Sequence, residues 1–252
     1  MNDTGLGIFC VNLHVHTCLS PCGDLDMHPR ALVDEAVKRE LDMIAVCDHN
    51  ASENVPFVMN AARGTRLNVL PGMEVCTREE AHVLALFGEL PALAELQDYV
   101  YANLAGLNDE EAFGMQPIVN EEGEVEGFNE RLLIGATGIS LEDIVDRIHL
   151  FGGIAVAAHI DRPSFSVIGQ LGFIPPHVPF DALEISGRLG IREGRRRFPE
   201  LANYPFVTSS DAHFIADVGS AYTRMVLKEP VFEEVLMAIR KQEGRYILED
   251  EK

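Results

Sequence analysis

Short apolar runs alternate along this chain with stretches whose apolar positions recur at helical spacing. Phe9 to His16 is apolar and reads as a buried strand. Pro29 to Glu40 carries Leu32, Val33, Ala36 and Val37 as one stripe behind a proline in the first turn, which predicts a helix. Asp42 to Cys47 predicts the next strand, Ser52 to Ala62 a helix, Leu67 to Val75 and His82 to Phe87 two strands, and Pro91 to Leu104 a helix. Ser140-x-x-Asp143 reads as a capping box for a helix from Leu141 to Phe151 that stops at Gly152-Gly153. Ile154 to Ala158, Phe180 to Ile185 and Pro205 to Thr208 predict further strands, and Glu233 to Gln242 a closing helix. Such alternation implies parallel strands joined by helices. The expectation is an α/β fold, a distorted barrel. Its regular texture breaks at Gly106 to Glu130, which is rich in Gly, Asn and Glu and reads as an acidic excursion with a hairpin around Asn120 to Gly127.

The strands end in chemistry. His14-x-His16, Asp48-His49, Glu74 with His82, and Asp211-x-His213 all fall at strand ends, and His159 ends another apolar strand. Alternation puts His14 and His16 on one side of their strand. Nitrogen and oxygen donors gathered in this way suit divalent metals, with water as nucleophile. His28, His149 and His177 match no such cluster and are read as solvated or hydrogen-bonded residues. Asp48 is expected to orient an imidazole rather than to ligate, and Asp161 has the same status.

Bulk properties narrow the classes. The 252 residues, 47% of them hydrophobic, fit one large domain spanning 1–252. No run of about 18 apolar residues exists, so no membrane partner is expected. Met1 to Gly7 lacks a basic region followed by an apolar core, and a cytoplasmic location is the default expectation. The five cysteines, Cys10, Cys18, Cys22, Cys47 and Cys76, form no C-x-x-C pair and argue against a disulfide framework. Cys22 is read first as a reduced thiol near the site, with soft metal ligation as the alternative. A net charge of −20 predicts no binding to long duplex nucleic acid and favours a small phosphorylated substrate. The sequence sets no oligomeric state.

Asn12-Leu-His14-Val-His16-Thr17, Asp48-His49-Asn50, Gly72-Met-Glu74, Ala158-His159 and Ser210-Asp211-Ala-His213 resemble, in order, the motifs of the PHP (polymerase and histidinol phosphatase) family. The resemblance implies a (β/α)7 TIM-like barrel with two or three divalent ions (Zn, Mn or Fe) at the strand C-terminal ends. It implies His14, His16, Glu74 and Asp211 at a first metal, Asp24, His49 and His213 at a second, and Glu74, His82 and His159 at a third. Glu74 would then bridge two cations. The chain departs from the family pattern at Pro21-Cys22-Gly23, so Asp26 and Cys22 rival Asp24.

Cations there outweigh the charges of Asp24, Glu74 and Asp211, so the site should attract an anion. The expected enzyme is a metal-dependent phosphoric ester hydrolase acting on a phosphomonoester, nucleotide or short oligonucleotide. Glu74, Asp211, His159 and Arg162 are the expected catalytic residues, with Arg162 binding a phosphate oxygen. Basic residues from Arg188 to Arg197 could meet a second anion, although the run Arg195-Arg196-Arg197 reads first as a solvated surface. The alternatives are an amidohydrolase-like enzyme acting on a C–N bond and a non-catalytic nucleotide sensor.

Overall fold

The computed structural model describes residues 5–249. Residues 1–4 and 250–252 belong to the expected 1–252 domain, and the first four to the Met1–Gly7 reading, but lie outside the described residues. The elements run β1 (Gly7–Val15), α1 (Pro29–Lys38), β2 (Met43–Val46), α2 (Val55–Ala61), β3 (Asn68–Cys76), β4 (His82–Leu86), α3 (Leu90–Asn103), α4 (Glu110–Phe113), β5 (Pro117–Val119) and β6 (Val125–Phe128). They continue with α5 (Leu141–Leu150), β7 (Ile154–Ala157), α6 (Val167–Leu171), β8 (Ala182–Ser186), α7 (Ile191–Arg197), β9 (Phe206–Ser209), β10 (Thr223–Leu227), α8 (Phe232–Ile239) and β11 (Tyr246–Leu248).

One sheet curls into a nearly closed barrel in the order β11-β10-β1-β2-β3-β4-β7-β8-β9. It closes because β1 divides its free edge. Its first half pairs antiparallel with β10. Beyond that, Asp211 N donates to His14 O at 3.0 Å and His16 N donates to Ala212 O at 3.1 Å. The last parallel strand thus meets the first, bringing Asp211 to His14 and His16.

Two features differ from the expectation of parallel strands alone. β4 runs antiparallel to both β3 and β7. The link of residues 77–81 is far shorter than the roughly dozen residues a parallel crossover needs. β10 and β11 are short antiparallel additions at the end of the sheet.

Alternation on the strands makes two apolar layers. Val11, Leu13, Met43, Leu84, Val156 and Val207 fill the barrel, and Phe232, Val235 and Ile239 of α8 pack against them. Leu32, Val33, Ile144 and Ile148 pack outward-facing strand residues beneath α1 and α5. Ser140 Oγ caps α5 by accepting from Asp143 N at 3.1 Å. The excursion folds as α4 and the β5–β6 hairpin, tied down where Val119 N donates to Asn54 Oδ1 at 2.9 Å and Asn129 Nδ2 donates to Glu53 Oε1 at 2.9 Å. Among the described residues no helix is long and apolar enough to cross a membrane.

Candidate metal centre

The barrel interior changes character along its own strands. Leu84 gives way to His82 on β4, and Ala182 to Glu184 on β8. On β1 the register shifts between Asn12 and Val15, and both His14 and His16 emerge fully buried with their rings 5.1 Å apart. Asn50, His159 and Asp211, beyond β2, β7 and β9, adopt positive φ of 50°, 29° and 48°. This backbone is costly for non-glycine residues and is tolerated where the surroundings hold it.

Glu74 is the hub. Its carboxylate lies 2.8 Å from His82 Nδ1, 2.9 Å from His49 Nδ1, 3.1 Å from His159 Nε2, and 3.5 Å from both His14 Nε2 and His16 Nε2. Asp211 forms a second focus, its Oδ1 3.0 Å from His16 Nε2 and 3.2 Å from His14 Nε2. Burial alone would raise the pKa of Glu74, but His82, His14 and His49 hold it well below the usual carboxylate range. Burial opposes protonation of His14, yet Asp211, Glu184 and Glu74 raise its pKa well above the ordinary value. Burial and the neighbouring His213 drive that of His16 well down. The imidazoles therefore cannot all be protonated together, and a cation can replace the protons they share.

The hydrogen bonds behind the cluster fix its tautomers. Ser20 Oγ donates to Asp48 Oδ1 at 2.7 Å, so it accepts from His16 Nδ1 at 2.9 Å. His14 Nδ1 donates to Glu184 Oε2 at 3.0 Å. In the neutral imidazoles both Nε2 atoms are left with lone pairs, 3.1 Å apart, and neither can donate to the other. A proton on His14 or a metal cation in its place satisfies both. His159 Nδ1 is buried without a hydrogen-bond partner. The donor atoms gather in three groups within 4.8 Å: His14, His16 and Asp211; His16, His49 and His213; His49, Glu74 and His82. Nitrogen and oxygen donors of this kind fit divalent zinc, manganese or iron.

Eight of the residues expected to ligate or catalyse thus meet in one place: His14, His16, His49, Glu74, His82, His159, Asp211 and His213. Arg162 Nη1 lies at their edge, 2.6 Å from Asp211 Oδ2. Asp24 lies outside the three donor groups, and its Oδ1 accepts from Asp26 N at 2.9 Å, a local turn bond. Cys22 is likewise outside the three groups. Burial raises the pKa of its thiol, but His213 and His49 prevail and bring it down to about 6.

Asp48 does not touch an imidazole directly. It anchors Thr17 through its backbone N and hydroxyl, each at 2.7 Å, and steadies His16 through Ser20. Asp161 accepts from Ser186 N and Oγ at the end of β8. His28 caps α1, while His149 and His177 pair with Asp181 and Glu142. Arg192 and Arg196 line, with Arg224 and Tyr222, a cavity of about 720 Å³ whose walls include none of the clustered donors. Nothing in the sequence reading singles out Glu184, which orients His14 and also accepts from His159 N at 3.0 Å. Its one signal is a lone acid in an otherwise apolar strand.

The family matches cover most of the chain. Residues 12–168 match the PHP domain, and residues 195–243 match the PHP-associated family. This chain belongs to the PHP domain family. That membership agrees with the expectation of a metal-dependent hydrolase acting on phosphoester bonds. The 5'-3' exoribonuclease Rnm of Escherichia coli (strain K12) is 33% identical over 90 residues, 35% of this chain and 29% of the relative. The "Uncharacterized protein YqxK" of Bacillus subtilis (strain 168) is 28% identical over 117 residues, 44% of this chain and again 29% of the relative. The matched stretches are thus under a third of these curated relatives. The lesion-specific endonuclease PfuEndoQ from Pyrococcus furiosus shares the fold, with a TM-score of 0.75 at 18% identity over 96% of this chain and 58% of that one.

The expected exclusion of long duplex nucleic acid is overturned. A complex of endonuclease Q with a 27-mer duplex substrate aligns with this chain at a TM-score of 0.72 and 17% identity, over 96% of this chain and 58% of that one. The physical flaw lies in the use of net charge. A sum over the whole surface does not set the field at one cleft, and bound cations reverse its sign locally.

Proposed function

We propose that this protein is a metal-dependent phosphoesterase that cleaves phosphodiester bonds in nucleic acid. The observation that carries the reading is the Glu74 carboxylate facing five imidazoles beside Asp211, all gathered at one end of the barrel. His14, His16 and Asp211 would hold one cation; Glu74, His82 and His159 a second; His16, His49 and His213 supply donors for a third. Divalent ions supply Lewis acidity toward phosphate oxygens and lower the pKa of water into the neutral range. The protein supplies alignment. Glu184 holds the His14 ring, and Ser20 with Asp48 holds His16, so the lone pairs point into the cluster. Arg162, half-exposed beside Asp211, can turn its guanidinium to a phosphate oxygen.

Nucleic acid is favoured as substrate by the nuclease names among the relatives and by two aromatic rings. Phe165 is 45% exposed and stacks on His82 at 5.0 Å, and Phe214, next to His213, is 53% exposed. Exposed aromatic faces beside a phosphate-cleaving centre can stack bases without reading their sequence. The test loads the protein separately with Mn, Zn and Fe and offers single-stranded RNA, duplex DNA, a nitrophenyl phosphomonoester and an amide. Cleavage of the nucleic acids is expected. Cleavage of the phosphomonoester alone would reject the nucleic-acid substrate. Turnover of the amide alone, or of nothing at full metal load, would reject phosphoester hydrolysis in favour of the amidohydrolase or sensor reading.

A further inference from the structure

We propose that the cavity between α7 and strands β9, β10 and β11 binds a nucleoside monophosphate, at a site separate from the metal centre. The cavity exists because the two ends of the sheet do not pair. β9 and β11 are its outermost strands. Across the seam the Thr223 hydroxyl takes the place of a strand ladder, accepting from Thr208 N and donating to Thr208 O, each at 2.8 Å. α7 covers the seam from outside. Gly194 lets it dock, since a Cβ there would lie 2.8 Å from Ile185 Cγ1. Arg195 ties it to the residue after β11, donating to Glu249 Oε1 at 2.6 Å. The space left is about 720 Å³, within the roughly 300–1,000 Å³ usual for small-molecule sites.

Its walls carry three kinds of group. The first is cationic. Tyr222 and Arg224 alternate with Thr223, which turns into the seam, so both face the outer side. Arg224 is partly buried, and its side chain forms no ion pair or hydrogen bond among the described residues. In a chain with 40 acidic and 20 basic residues, a guanidinium left over in this way calls for an anion from outside. Arg192 and Arg196, four apart on one face of α7, line the same cavity. Arg196 is held only by an exposed pair with Glu193 at 3.1 Å, which costs little to break. The second kind is flat or apolar, the Tyr222 ring with Leu189 and Leu248. The third is the pair of carboxylates Glu193 and Glu249, which keep lone pairs beyond their arginine bonds.

One small molecule uses all three. Its phosphate meets the arginines, its base lies against the tyrosine and leucines, and its ribose hydroxyls donate to the carboxylates. Inorganic phosphate would leave the apolar wall bare, and a sugar phosphate would bring hydroxyls but no ring. None of the clustered metal donors lines the cavity, so the site does not rest on the metal centre or on the reaction proposed there.

Calorimetric titration of the metal-stripped full chain with adenosine monophosphate tests this. One molecule should bind per chain, with inorganic phosphate and adenosine each weaker by about 10-fold or more. Arg224→Gln should weaken binding by about 10–100-fold, the loss of a charge-assisted hydrogen bond. Arg162→Gln, at the metal centre, should bind normally. No binding to the native chain, or equal binding by Arg224→Gln, would overturn the proposal. A loss in Arg162→Gln would put the nucleotide at the metal centre and overturn it too. Phosphate or adenosine binding as tightly as the nucleotide would reject the ligand class. A second measurement needs no variant. Adenosine monophosphate should slow amide exchange in residues 187–196 and 221–224 of the native chain. Protection confined to the segments that carry the metal donors would overturn the site.

Discussion

One half of the cluster is carried by strands and the other by loops. His14, Glu74 and His82 sit on β1, β3 and β4, each at least nine-tenths buried, and Glu184 on β8 supports His14 from behind. His49 lies on the segment beyond β2, Asp211 and His213 on that beyond β9, and His213 is 21% exposed. The strand half holds Glu74 and Glu184 close and dry. The loop half offers imidazoles and the Asp211 carboxylate at the mouth. The barrel therefore contributes preorganisation where charge is concentrated, and leaves the adaptable donors where solvent and substrate arrive.

The sharpest way to break this comparison is Glu74→Gln. Glu74 faces donors from both halves, so both should lose metal together, and phosphoester hydrolysis should fall by more than the ~100-fold that losing a supporting partner costs. Elemental analysis and rate measurement on the same sample check this; normal metal content would detach Glu74 from ligation. Glu184→Gln should act on the strand half alone. We expect a loss of about 10–100-fold in metal affinity or rate.

Ser20→Ala removes the hydroxyl between His16 and Asp48. Asp48 keeps its two bonds from Thr17, so the expected cost is about 1 kcal/mol in stability, read by denaturant unfolding. The smallest effect lies outside both halves. The Asp181 hydrogen bond raises the pKa of His149, against the opposing effect of burial. A raised folded-state pKa means that this contribution is full below the unfolded value and fades as pH climbs through the folded one. His149→Gln should therefore lower Tm at about pH 5.5 and converge on the native value by about pH 8.5, by ~1 kcal/mol or less and with or without metal. A constant deficit across that range would remove the titration from the account.

Much of this was legible in the chain. Apolar runs with His, Glu or Asp at one end located β1, β2, β3, β4, β7 and β9, and barrel closure brought their donors together. Periodicity gives no strand direction, so the antiparallel course of β4 followed only from the length of its link. Thr223–Leu227 carries a half-alternating pattern too short to stand out, and α7 begins behind glycine and runs into arginines. Spacing placed Asp24 near the site but could not say which way its carboxylate turned; in the structure its Oδ1 accepts from Asp26 N. Glu184 needed the structure, because its role depends on β1 lying across the barrel.

The central claim is that this cluster holds the ions that cleave phosphoester bonds. The most direct measurement strips the native protein with chelator, returns zinc or manganese stepwise, and records bound metal and oligonucleotide cleavage in the same samples. Cleavage should be absent without metal, rise with occupancy, and stay absent in Glu74→Gln. Cleavage that survives chelation, or full occupancy with no cleavage of any phosphoester, would contradict the account.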